Sequence, residues 1–197
     1  MLRSPSEADS GARAPAPAEA LGLASDEAVL ASGGDLAARA FAILQAEGVS
    51  PGALAGIGVE LAALAGSWRG FGQGEALFER QPGEYPLWCE EDGTFELVLR
   101  LLRAGQGSGP ALGYDTWTVF APLQGRLHLH WVKDGVPKFR ELAPGDSLGL
   151  PAGCASLPAA PKHSGAALLC LFGIARQLLP LPLRVDLSAE RSEGTPP

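Results

Sequence analysis

The sequence predicts a mainly β fold, a jelly-roll barrel preceded by two or three α-helices. From about Tyr85 onward the chain breaks into short apolar runs separated by Gly-, Pro- and Asp-rich turns, the cadence of an all-β barrel or jelly roll. Ahead of these runs, two segments repeat apolar residues at helical spacing. The chain has 197 residues, enough for one domain with additional segments. A domain of ~150 residues buries roughly 70% of its unfolded surface, which is an ordinary core without disulfides or metal.

In chain order, residues 1–20 are rich in Ala, Pro, Ser and Glu and offer no apolar face, so they are expected to be disordered. Residues 21–80 form a helical segment that packs on the barrel. A short helix around Ser25–Leu30 is possible. The stretch "DLAARAFAILQAEG" sets Leu36, Ala40, Ile43 and Leu44 on one helical face and stops at Gly48. The next, "SPGALAGIGVELAALAG", opens with Ser50 as N-cap and Pro51 in the first turn, and stripes Leu54, Ile57, Leu61 and Leu64. Its internal glycines weaken its regularity.

The barrel spans 81–187. Strands are expected at Pro86–Cys89, Phe95–Leu102, Thr116–Leu123, Leu127–Val132, Lys138–Leu142, Ser147–Leu150 and Ala166–Phe172. The turns "EEDG", "LQG", "KDGVP" and "APGD" join them. The run "LLPLPL" is expected to pack outside the barrel, and 188–197 form a disordered tail.

Composition excludes several function classes. The net charge of -7 repels a phosphate backbone, and no basic stripe offsets it, which argues against nucleic acid as partner. No run approaches the ~20 apolar residues of a membrane span, and no basic start with an apolar core marks a signal peptide. A cytoplasmic location follows as the expectation. The three cysteines, Cys89, Cys154 and Cys170, are far apart and odd in number, which suits buried thiols in a reducing compartment.

Two motifs point to a family. "GQGSGPALGYDTWTVFAPLQG" supplies Gly105 and Gly125, matching the outer glycines of the first cupin motif. "GDSLGLPAGCAS" supplies Gly145, Pro151 and Gly153 of the second. Together they resemble the double-stranded β-helix of cupins. From Leu87 to Phe172, through "DGTFELVL", "AGQGSG", "LQG" and "LLCLFG", the chain is similar to the cysteine dioxygenase (thiol dioxygenase) family.

That resemblance implies ferrous iron (Fe2+) held by three histidines, with room for a chelating thiol and oxygen. Here the His-x-His positions fall on Ala111 and Gly113 in an ungapped reading. In a register anchored on Thr116 and Trp117 they fall on Leu112 and Tyr114. The third falls on Ser156, or on Ala155 if slipped by one. The arginine that receives the substrate carboxylate falls near Tyr85 or Pro86, and the crosslinking cysteine of some members on Thr118. The late-strand His and Tyr fall on Cys170 and Phe172. Tyr85, Thr118, Cys154, Cys170 and Phe172 are thus the candidate pocket, with apolar filling expected from Leu112, Leu168 and Phe172.

The expected function is a non-catalytic small-ligand-binding or regulatory barrel without a cofactor, acting on a small molecule or protein partner as a monomer or homodimer. One alternative is an active oxidoreductase with a remodelled iron site. Its first ligands would be His128 and His130, whose His-x-His spacing suits a metal. Against it, Leu127, Leu129 and Trp131 form the apolar set of that strand, which turns both histidines to the other face. His163 reads as a loop residue. The second alternative is a metal-free sugar-epimerase-like cupin with Tyr114 as acid, which would still need a base.

Overall fold

The computed structural model describes residues 26–68, 80–90, 94–107, 112–114, 116–173 and 178–179. The expected disorder of 1–20 and of 188–197 lies outside them.

Two helices lead. Helix α1 runs Asp26–Glu47 and α2 runs Pro51–Ser67. Gly48 takes φ +64 and its N–H donates to the Leu44 carbonyl, the glycine stop that the sequence carries. Ser50 is the N-cap of α2, accepting from the Ala53 N–H at 3.0 Å, and Pro51 sits in the first turn. The short helix expected near Ser25–Leu30 is not separate. It is the first part of α1, which runs straight through Gly33 and Gly34. Tertiary packing explains this: a Cβ on Gly33 would lie 2.6 Å from Trp88 Cγ, so glycine lets the helix sit against that ring.

Ten strands follow: β1 Gly83–Cys89, β2 Glu96–Leu102, β3 Leu112–Tyr114, β4 Thr118–Gln124, β5 Leu127–Lys133, β6 Val136–Leu142, β7 Leu148–Leu150, β8 Ala155–Ala159, β9 Ala166–Phe172 and β10 Leu178–Leu179. They form two antiparallel sheets, ordered β1-β2-β9-β4-β7 and β10-β3-β8-β5-β6. Without the outermost β1 and β10, successive strands of β2–β9 switch sheets at every step except the β5–β6 hairpin, the order of a jelly roll. The two sheets stay separate and do not close into one continuous barrel.

Three strands were not expected. "LGY" (β3) and "LL" (β10) are too short to show alternation. "ASLPA" (β8) contains Pro158, which argues against a strand. Pro158 pairs with Leu129 on one side, and on the other β8 meets β3 at Ala155 and Ser156 and Gly107 at Ala159. The β5–β6 turn is Asp134-Gly135 with φ of 53 and 74, the two-residue hairpin turn that "KDG" signals.

Residue parity builds the core. On β2, β4 and β9 the even positions Val98, Phe120, Leu168, Cys170 and Phe172 meet Leu127, Leu129 and Leu142 of the other sheet. The odd positions Leu97, Leu99, Val119, Leu169 and Leu171 meet Leu36, Ala40, Leu54, Ile57 and Leu61 of the helices. Ile43, Leu44 and Leu64 are partly buried at its margin. A sheet buried on both faces has no polar side, so "ELVLRLL" and "AALLCLF" are near-continuous apolar runs. The second sheet has one wet face: β6 is exposed from Val136 to Glu141.

Helix α2 rests on β7 through glycines. A Cβ on Gly149 would lie 2.6 Å from Leu54 Cβ and 3.1 Å from the Leu54 carbonyl oxygen. Gly149→Ala should therefore lift the helix and lower stability by about 1–3 kcal/mol. Gly34→Ala, with nothing within 4 Å of the added carbon, should be neutral or raise stability by roughly 0.5–1 kcal/mol. Urea unfolding of the two variants checks both signs.

Candidate functional site

The space between the sheets is where a barrel of this topology would hold a ligand. Its floor on the second sheet comes from β5, β8 and β3. Trp131 pairs with Ser156, and Ser156 pairs with position 112. Directly opposed strand residues share a face, and Leu127, Leu129 and Trp131 lie on the inward one. Positions 156 and 112 therefore belong to the inward row, and 114 follows by alternation. Ala155 pairs with Gly113, so both fall on the opposite parity. This register selects Leu112 and Tyr114, not Ala111 and Gly113, as the companions of Ser156. Ala111 itself lies outside the described residues.

The donor chemistry does not suit ferrous iron. Leucine, tyrosine and serine stand where the resemblance would call for ligands, and neither leucine nor a serine hydroxyl replaces a neutral imidazole. Among the described residues, no cluster of three or more His, Cys, Asp or Glu side chains could hold a metal ion. His128 and His130 lie on the outer face of β5, as their parity requires. His128 Nε2 is 3.3 Å from Glu141 Oε2, and the His130 ring centroid is 4.8 Å from that of Phe139. Arg126 also pairs with Glu141, and its guanidinium, aided by His128, holds that carboxyl below its usual range. His163 is exposed in the turn between β8 and β9.

The candidate pocket residues do not converge on a cavity. Thr118 pairs with Phe172, and Cys170 follows two residues away on the same face, but all three are buried in close packing. Among the described residues the Thr118 hydroxyl has no hydrogen-bond partner, and Thr118 and Ser156 are both buried in a largely apolar interior. Tyr85 pairs with Leu99, a helix-facing position, so it lies on the wrong side of β1. Its hydroxyl donates to the Gln81 carbonyl. Cys154 stands half-buried at one end of the sandwich, where burial pushes its thiol pKa up and works against a thiolate nucleophile.

Sequence reasoning missed Arg100. It pairs with Leu168, so its side chain belongs to the inward set, and it is 3% exposed. It donates to the carboxylate of Glu84, its cross-strand partner on β1. The pair lines a cavity of about 260 Å³ beside Leu102, Gln106 and Gly107. The signal was present: a lone charge inside "ELVLRLL" must find a partner if that strand is buried. A larger cleft, about 500 Å³, opens where α2 crosses the ends of β5, β6 and β7.

The strand order decides the fold. It is that of a jelly roll, with two helices covering one sheet. No family model and no curated protein matches the chain. Among solved structures it is similar to a cupin-2 domain protein from Rhodospirillum rubrum, at 22% identity and a TM-score of 0.45 over 56% of this chain and 71% of that one. A cupin 2 conserved barrel protein from Salinispora arenicola gives 23% identity and a TM-score of 0.39, over 48% of this chain and 76% of that one. An oxalate decarboxylase variant from B. subtilis gives 17% and 0.40, over 44% of this chain and 24% of that one. Such folds carry unrelated chemistries, so function rests on the site.

The two ion pairs differ in what their loss costs. Arg100 is buried, whereas Arg126 and Glu141 are 66% and 40% exposed. Glu84→Ala leaves a buried guanidinium without this carboxylate and should lower stability by about 1–3 kcal/mol. Glu141→Ala should leave the urea midpoint unchanged, because a solvated pair contributes little.

Proposed function

We propose that this chain is a thiol-dioxygenase-like cupin that has lost its iron site and acts as a non-catalytic, small-ligand-binding or regulatory barrel. The observation that carries the reading is the inward row of β5, β8 and β3. Beside Trp131, Ser156 and Leu112 stand in register at positions where an iron-binding relative needs imidazoles. The packing of Val98, Phe120, Leu168 and Phe172 against Leu127 and Leu129 supports it, since a reacting site needs an open concavity with a few convergent polar groups. The three cysteines form no disulfide, which suits a reducing cytoplasm. Among the described residues, no helix is long and apolar enough to cross a membrane.

The remodelled iron enzyme gains no support, because His128 and His130 share the outer face with Glu141 and Phe139. Neither does the epimerase reading: no described histidine faces inward to act as base beside position 114.

Protein purified without a chelating tag should carry well under one transition metal per chain by elemental analysis. It should take up no oxygen with cysteine or 3-mercaptopropionate. About one iron per chain, lost in His128→Ala/His130→Ala together with thiol-dependent oxygen uptake, would overturn the proposal in favour of the remodelled enzyme.

The lost-site part of the reading has its own test. Leu112→His/Tyr114→His/Ser156→His should bind Ni(II) in titration calorimetry. Ala111→His/Gly113→His/Ser156→His should not, because alternate strand residues point apart. Binding by the second variant alone would refute the assignment of the former ligand positions.

A further inference from the structure

The cleft at the end of the sandwich has a chemistry that the barrel interior lacks. It lies between the start of α2, the short edge strand β7 of the first sheet and the β5–β6 hairpin of the second. The inward face of that hairpin changes character along its length. Leu127, Leu129 and Leu142 are fully buried, Trp131 is half-buried, and Lys133 and Arg140 are exposed. Opposite them stand Val49, Val59 and Leu148; the two valines are 58% and 66% exposed.

Among the described residues no carboxylate lines the cleft, and neither Lys133 nor Arg140 forms an ion pair with the adjacent Asp134 or Glu141. Glu141 is engaged by Arg126 and His128 instead. The side chain of Glu47, the last residue of α1, reaches the first turn of α2, its Oε2 3.3 Å from where a Cβ on Gly52 would be, so a carboxylate already faces that helix end. Attraction for an anion in the cleft thus comes from Lys133 and Arg140. The volume of about 500 Å³ is that of a small-molecule site.

From this juxtaposition we propose that the cleft binds an organic anion with a flat apolar body. Trp131 and the valines cover the body, and Lys133 and Arg140, on either side of Trp131 along the hairpin, attract the carboxylate or sulfonate. The proposal rests on the reading of the chain as a ligand-binding barrel and adds the place and the ligand class. A fully solvated anion without an apolar body would gain only screened charge, and a neutral body would forgo both cations.

The test uses the full chain and two fluorescent probes: 1-anilinonaphthalene-8-sulfonate, and its uncharged counterpart N-phenyl-1-naphthylamine. The sulfonate should bind one site, quench tryptophan emission, and weaken as salt is raised. Lys133→Gln and Arg140→Gln should each weaken it about five- to tenfold while leaving the uncharged probe unaffected. Val59→Glu, an exposed change that adds a carboxylate to the wall, should weaken the sulfonate further. Circular dichroism and the urea midpoint of each variant show that the fold is kept.

Sulfonate binding that ignores all three substitutions would overturn the site but leave a ligand-binding barrel standing. Absence of saturable binding by either probe would overturn the proposed ligand class. A dimer in sedimentation that Val59→Glu converts to monomer would assign the cleft to a second copy and overturn the small-molecule proposal. Iron content and thiol turnover, measured separately, bear on the barrel reading alone.

Discussion

The first sheet is buried on both faces, and the rest of the structure follows from that constraint. Its strands β2, β4 and β9 are buried along nearly their whole length, so helices must cover one face and the second sheet the other. The covering helices need close approach, which Gly33 allows at Trp88 and Gly149 at Leu54. A charge caught in such a strand needs a partner within reach. Arg100 finds Glu84 on the edge strand, where the carboxylate can also touch solvent.

The same constraint shapes what the barrel can do. Close packing of Phe120, Leu168 and Phe172 against Leu127 and Leu129 leaves Thr118 and Ser156 as isolated hydroxyls, not as a reacting constellation. The histidines of β5 lie on its wet face, beside Glu141 and Phe139. The polar chemistry open to a ligand lies at the end of the sandwich. There Trp131, Lys133 and Arg140 line the cleft beside the short β7. Gly105, Gly125, Gly145 and Gly153 all hold positive φ, a conformation that glycine adopts without strain. At Gly125 the need is steric as well, because a Cβ would lie 2.3 Å from the Gly165 carbonyl oxygen.

Local chemistry made much of this legible. Ser50 and Pro51 announce α2, Gly48 ends α1, and Asp134-Gly135 sets the β5–β6 hairpin, because caps and tight turns depend on few neighbouring residues. The alternation of Leu127, Leu129 and Trp131 with His128 and His130 assigned the faces of β5, since a half-buried strand has a period of two. Tertiary structure alone decided the rest. Position 112 belongs beside Ser156 because β3 and β8 pair in that register, and three residues of "LGY" carry no pattern to predict it. Tyr85 left the candidate pocket and Arg100 entered the interior through the pairing of β1 with β2, a long-range choice. The cleft depends on how α2, β7 and the β5–β6 hairpin lie together, a relation between segments that no local window contains. The sequence by itself determined the strands, turns and caps whose energies are local; the partners across each sheet decided which side chains share a site.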